Sequence, residues 1–201
     1  MISALILAAG QSKRMGQPKM LLPWGNTTVL GQVLQTLKQA NIPDMLVVTG
    51  AARIDIEKIC AAYETLVAHN PDYANGEMLS SLQTGLSVLR DKTSAETALI
   101  VLGDQPQVQE GSVRAVVRRF IETESNLVVP SFQMRRGHPW LVARPLWDEI
   151  PQMKSPQSPR DFLNSHASEI EYVDVDNPSI LADLDTFEDY LKSRPYASGH
   201  E

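Results

Sequence analysis

A single cysteine, Cys60, stands in 201 residues. One thiol cannot form an intrachain disulfide, so a core must hold the fold, and this usage fits a reducing compartment. Flanked by Ile59, Ala61 and Ala62, Cys60 reads as a small core residue. Long apolar runs are missing too. No stretch approaches the roughly 20 residues that a membrane helix needs. The first apolar run ends by Ala9 and no basic segment precedes it, unlike a secretory leader. The expectation is a cytoplasmic protein with no membrane role. Basic excess is also lacking: 18 Lys and Arg face 24 Asp and Glu, for a formal net charge of -6. That excludes broad nucleic-acid binding. It leaves room for one nucleotide, since local cations can outweigh the global sign. Of the four histidines, His69 and His166 have no partner at metal-ligand spacing, His200 lies in the tail, and no Ser-His-Asp arrangement is found. Trp24, Trp140 and Trp147 read as core or loop anchors.

What is present is concentrated in one stretch, Leu5 to Lys19. An apolar run from Ile2 to Ala8 is the length of a buried strand. It breaks at Gly10 into a loop with Gly16 and three cations, Lys13, Arg14 and Lys19. Glycine lets backbone N–H groups turn toward an anion. Arg offers a planar fork of donors, and Lys a mobile point charge. The combination reads as a polyphosphate grip. It is neither a P-loop, since Gln17 follows Gly16, nor a dinucleotide fingerprint, since Gly-x-Gly-x-x-Gly is absent. A solvated basic turn after a core strand is the plainer alternative.

The rest of the chain alternates strand and helix, which predicts a mostly parallel sheet covered on both faces. Strands are expected at Met45–Thr49, Thr65–Ala68, Ala98–Leu102, Asn126–Pro130 and Ile170–Val175. Helices are expected at about Val29–Ala40, Ile54–Tyr63, Met78–Leu89, Gly111–Glu124, Pro145–Ile150, Arg160–His166 and Phe187–Arg194, with Thr27 or Thr28 capping the first and Thr186 the last. The alternation fails between Ser131 and Val142, which reads as a bent hairpin extending an edge of the sheet. The run Ala98–Leu102 is apolar throughout and leads into Gly103-Asp104-Gln105-Pro106. Asp104 thus stands just past a strand's carboxyl end, where open α/β sheets bind ligands. Its alternative is turn capping.

The order Leu7-Ala8-Ala9-Gly10-x-Ser12-x-Arg14-Met15-Gly16-x-x-Lys19 resembles the N-terminal signature of the MobA-like NTP transferases, above all the molybdenum-cofactor cytidylyltransferases. The likeness runs from Leu5 to Tyr190 and is weakest between Trp147 and Val175. It implies an α/β, Rossmann-like three-layer αβα nucleotidyltransferase (GT-A-like) fold with a small β extension. One domain would span residues 1–194, followed by a flexible tail, 195–201. It also implies a nucleotide site built from Leu7, Ala8, Ala9, Gly10, Ser12, Arg14, Lys19, Gly76, Ser80, Ser81, Gly103 and Gln105. Ser80 and Ser81 open the helix that carries the family's Ser-x-x-x-Gly-Leu pattern. Their alternative is helix capping.

The implied reaction moves CMP from CTP to the phosphate of molybdopterin and releases pyrophosphate. The acceptor oxygen is already ionised, so positioning and positive charge matter more than a base. Arg14, Lys19 and Asp104 would carry catalysis, and Mg²⁺ (or Mn²⁺) would be held by Asp104 with Asp183 or Asp185. Asp183-Leu184-Asp185-Thr186 resembles the family's closing motif, with Phe187 where Pro is usual. Dipole compensation at a helix start is the alternative for these acids. Arg136-Gly137-His138-Pro139 resembles the acceptor-side element. Ala9 and Gln105 go with cytidine in the family. A sugar-phosphate or alcohol-phosphate acceptor, use of GTP, and a non-catalytic cofactor carrier for a molybdenum hydroxylase, itself a candidate partner, remain open beside this reading.

Overall fold

The structure is a computed structural model and describes residues 1–195. The strands are β1 (Ile2–Ala8), β2 (Pro23–Trp24), β3 (Thr27–Thr28), β4 (Met45–Thr49), β5 (Leu66–His69), β6 (Thr97–Leu102), β7 (Leu127–Phe132), β8 (Arg135–Arg136), β9 (Trp140–Ala143) and β10 (Glu171–Asp174). The helices are α1 (Val29–Gln39), α2 (Arg53–Ala62), α3 (Glu77–Lys92), α4 (Glu110–Thr123), α5 (Pro159–Ser165) and α6 (Phe187–Ser193). The tail expected from residue 195 lies, from residue 196 on, outside the described residues.

The main sheet has the order β10-β7-β9-β6-β1-β4-β5, with β8 paired to β7, while β2 and β3 form a separate ribbon. Its parallel pairs are β6–β1, β1–β4, β4–β5 and β7–β10. The chain runs from β1 outward through β4 to β5, then returns to place β6 on the other side of β1. This reversal makes a switch point between β1 and β6, and in open α/β sheets the crevice at such a point receives ligands. The mostly parallel sheet and its flanking helices give the expected fold class.

Burial follows the two-residue period of a strand. Leu5, Leu7 and Ala9 pack with Leu79, Leu82 and Leu86 of α3. Ala4, Ile6 and Ala8 pack on the opposite face with residues of α1, α2 and α4. The approach of α3 to β1 is so close that a Cβ at Gly85 would lie 2.2 Å from Leu5 Cδ1. Cys60 is fully buried in the second cluster, and burial pushes its thiol up to about 11. A third cluster joins Met15, Leu22, Trp24 and Val29 to Leu184 and Tyr190. It fastens the C-terminal helix beside the loop that follows β1.

Two local expectations need correction. The segment after β7 does not extend an edge. It turns back at Gln133 and Met134, both left-handed, and then enters the sheet as β9, antiparallel to both β6 and β7. All four residues of β9 are buried, as a strand covered on both faces requires. The helix expected at Pro145–Ile150 is instead two short 3₁₀ turns, Arg144–Leu146 and Ile150–Gln152. Trp147 sits just after the first turn and donates its indole N–H to Val142 O at 3.0 Å. Of Thr27 and Thr28, Thr28 caps α1: its hydroxyl accepts from Gly31 N at 3.0 Å.

Candidate active site

A cleft of about 510 Å³ opens at the carboxyl ends of β1 and β6. That is the usual size for a small-molecule site, about 300–1,000 Å³. Leu7 and Leu102, which are register partners on the two strands, both reach it, together with Ala9, Tyr73 and Met78. These side chains make an apolar wall. The charged part of the lining comes from Lys13, Lys19, Glu77, Asp104, Asp183 and Asp185. Gly50 makes room for the apolar wall: a Cβ there would lie 2.3 Å from Ala9 O and 2.8 Å from Tyr73 Cβ.

The loop after β1 is tied within itself and to the segment before α3. Met15 N donates to Ser12 O at 2.9 Å, Lys19 N donates to Ser12 Oγ at 3.0 Å, and Gln11 Nε2 donates to Ala74 O at 3.2 Å. The backbone N–H groups of residues 10–14 donate to no protein group among the described residues. A run of free amides beside lysines is a ready place for an anion. Ser12 holds a left-handed φ of 52°, and Glu77, which also borders the cleft, one of 51°. The other five left-handed non-glycine residues, among them Asn41, Glu64 and Glu124, lie just past helix ends or in the β7–β8 turn. Ser12 and Glu77 thus concentrate backbone strain, about 1–3 kcal/mol each, at this cleft.

Asp104, Asp183 and Asp185 each have a partner. The Lys19 ammonium is paired with Asp104, both largely shielded from water, and also donates to Leu184 O at 3.3 Å. Arg14 grips Asp185 with both guanidinium nitrogens, at 2.9 and 3.1 Å. Gln105 donates to Asp183 Oδ1 at 2.7 Å. Asp183 is exposed. Partial withdrawal from water and the nearby Asp104 and Asp185 carboxylates nevertheless raise its pKa, against the Gln105 bond and Lys19. Gln105 is itself buried, and its Oε1 has no partner. No group of three acidic, His or Cys residues is pre-arranged as a metal cage among the described residues. Mg²⁺ seldom uses such a cage; one or two carboxylates plus substrate phosphate and water suffice. The donor set of hard oxygens around Asp104 fits a cation of that type.

The remaining expected residues lie as follows. Ser81 borders the cleft, whereas Gly76 and Ser80 stand behind it in the loop-to-helix turn. A Cβ at Gly76 would meet Ser80 at 2.3 Å. Neither Ser80 nor Ser81 caps α3, whose N-cap is Gly76 without a side-chain bond. Ala8 faces the core away from the cleft, and Gly103 is buried between Leu7 O and Met20. Arg136 is occupied by Tyr172 OH and Asn164 Oδ1, each at 2.8 Å. Gly137 is pressed against Ile180, where a Cβ would lie 2.4 Å from a carbonyl oxygen. His138 lies near enough to Asp104 to feel its charge, but desolvation dominates and lowers its imidazole to about 4, so it is neutral at physiological pH. Asn70, Tyr73 and Met78 escaped the sequence reading. The Asn-Pro step at 70–71 was the one available signal, since Asn there favours a side-chain turn.

Comparison with known proteins bears on this geometry. The chain matches the MobA-like NTP transferase domain over residues 4–170. The chain belongs to that family. The molybdenum cofactor cytidylyltransferase of Escherichia coli K12 is 28% identical over 196 residues, covering 96% of this chain and 95% of that one. The nicotine blue oxidoreductase of Paenarthrobacter nicotinovorans is 28% identical over 199 residues and covers 93% of each chain. Among solved structures, Rv0371c of Mycobacterium tuberculosis H37Rv superposes with a TM-score of 0.81 at 27% identity, covering 96% of this chain and 97% of that one. A second structure of Rv0371c, in complex with manganese, gives 0.77 at 28% identity and covers 95% and 96%. As a MobA-like NTP transferase, the protein is a nucleotidyltransferase by family. No helix of the described residues is long and apolar enough to cross a membrane.

Proposed function

We propose that residues 1–194 form a single cytidylyltransferase domain that transfers CMP from CTP to the phosphate of molybdopterin and releases pyrophosphate. One observation carries most of this reading: free loop amides, Lys19 and Asp104 border the same cleft. A polyphosphate needs donors and cations, and its counter-ion needs a carboxylate. An oxygen of the acceptor phosphate attacks the α-phosphorus of CTP. The bond to the α,β-bridging oxygen breaks, and pyrophosphate leaves with that electron pair. Arg14, Lys19 and the amides of the Gly10–Ser12 turn hold the leaving group. Asp104, with Asp183 or Asp185, would hold Mg²⁺ or Mn²⁺, which offsets the repulsion between two anionic reactants. Neutral His138 stands on the acceptor side with Arg136 and Gly137. The cytosine ring rests on the apolar wall, where the Ala9 methyl narrows the space for a purine, and Gln105 supports the base side through its loop. The E. coli relative favours this acceptor over a sugar phosphate or an alcohol phosphate. A molybdenum hydroxylase is the candidate receiver of the product.

The test is pyrophosphate release with CTP, GTP, UTP or ATP, with Mg²⁺ or Mn²⁺, against molybdopterin and a panel of sugar and alcohol phosphates. CTP with molybdopterin should be fastest. Faster turnover of another acceptor or of GTP replaces the corresponding part of the reading. CTP binding without pyrophosphate release in every combination would instead mark a non-catalytic cofactor carrier.

A further inference from the structure

Behind the apolar wall lies Asn70, just past the end of β5 and 1% exposed. Its Oδ1 accepts from the backbone N–H of Asp72 at 3.0 Å. A backbone amide can only donate, so this bond decides which end of the carboxamide faces where. The NH₂ end must point to α3. There Nδ2 donates to Ser80 Oγ at 2.8 Å and to Ser81 Oγ at 3.1 Å. The two hydroxyls then diverge. Ser80 passes its own hydrogen to Glu77 O at 3.2 Å. Ser81 accepts from Asn70, finds no protein acceptor among the described residues, and borders the cleft with Ala9 and Tyr73. A hydroxyl that accepts on one side keeps its hydrogen to give on the other.

We infer that Asn70 is a positioning residue for base selection: by donating to Ser81 it occupies one lone pair of that hydroxyl and leaves its hydrogen free for the cleft, so the site favours a pyrimidine whose ring N3 is an acceptor. Cytosine has that acceptor at N3, whereas uracil carries an N–H there. Two donors facing each other leave one unpaired in a desolvated site, and unmatched polar groups discriminate more strongly than a lost methyl. The inference rests on the CTP reading and adds a determinant distinct from Ala9 and Gln105.

The decisive variant is Asn70→Asp. Its carboxylate keeps the Asp72 N–H bond but can only accept, so the Ser81 hydrogen turns inward and its lone pairs face the cleft. In steady-state assays, CTP kcat/KM should fall about tenfold or more, through KM rather than kcat, while UTP loses little. The CTP-to-UTP ratio should therefore drop about tenfold. Ser81→Ala, which leaves Asn70 in place, should lower the same ratio and serves if Asn70→Asp folds poorly. Ser81→Thr, with its hydroxyl retained, should restore it. A CTP-selective wild type whose ratio is unchanged in Asn70→Asp and Ser81→Ala, with both substrates weakened equally, overturns the role of Asn70 and leaves the CTP reading standing. A wild type with no preference for CTP over UTP and GTP overturns the CTP reading itself.

Discussion

The loops that follow β1 and β6 start from the same level, with Gly103 N donating to Leu7 O at 3.0 Å, yet they are built in opposite ways. After β1 the chain is open: Gly10, Lys13, Arg14, Gly16, Gln17 and Pro18 are all exposed. After β6 it is packed: Gly103, Gln105, Pro106 and Val108 are buried. Both loops face one cleft. The open loop presents amides and long cationic side chains that can adapt to a flexible polyphosphate. The packed loop holds one carboxylate, Asp104, in a fixed place. A grip benefits from reach, and a metal ligand benefits from rigidity.

Asp104→Ala tests the packed loop hardest. Loss of that carboxylate should cut kcat by about 10³-fold or more, with circular dichroism unchanged; wild-type rates would remove Asp104 from the metal assignment. Next comes a pair of glycines. A Cβ at Gly103 would lie 3.1 Å from Leu7 O and 3.2 Å from Ala8 Cβ, in a part of the core with little freedom. Gly103→Ala should therefore cost about 1–3 kcal/mol of stability. At Gly10 a Cβ meets nothing within 4 Å, and Gly10→Ala should stay within about 0.5 kcal/mol. Denaturant titration measures both, and equal losses would contradict the contrast between the loops.

A further effect concerns the strap that pins the open loop. Asp185 and Leu184 O hold Arg14 and Lys19, and α6 begins immediately after. Thr186 N and Oγ1 donate to Asp189 Oδ2 at 2.9 and 2.6 Å, and Asp189 N returns a bond to Thr186 Oγ1. The Thr186 hydroxyl, and then its N–H, keep the Asp189 carboxyl below the ordinary carboxylate range. A lowered folded pKa means a contribution that is complete at neutral pH and lost as pH falls through the folded value. Thr186→Ala should cost about 1 kcal/mol at pH 7, shrinking in acid. Hydrogen exchange should rise in residues 10–19 and stay unchanged in residues 103–108.

Much of this was legible in the chain itself. The run Ile2–Ala8 is both the first apolar block and β1, because a strand buried on both faces is apolar at every position. Lys19 and Asp104, 85 positions apart, were expected at one site, and they form an ion pair beside the cleft. The place of β9 was not legible. Four apolar residues give no period from which to tell an edge from a centre, and partners on both sides lie far away in sequence. Asn70 was hidden for a different reason. Its role depends on which amide end faces Asp72, a matter of orientation that residue spacing does not encode. Glu77 gives no hint of its left-handed backbone, which only its surroundings impose.

The insertion of β9 also bears on how the chain assembles. β1, β4, β5 and β6 are all complete by residue 102, whereas β7 pairs with none of them. Trp140–Ala143 is the seam that joins β7 and β10 to the rest of the sheet. A chain cut short before Trp140 would leave β6 with a naked, wholly apolar border, an invitation to self-association that β9 closes with four residues.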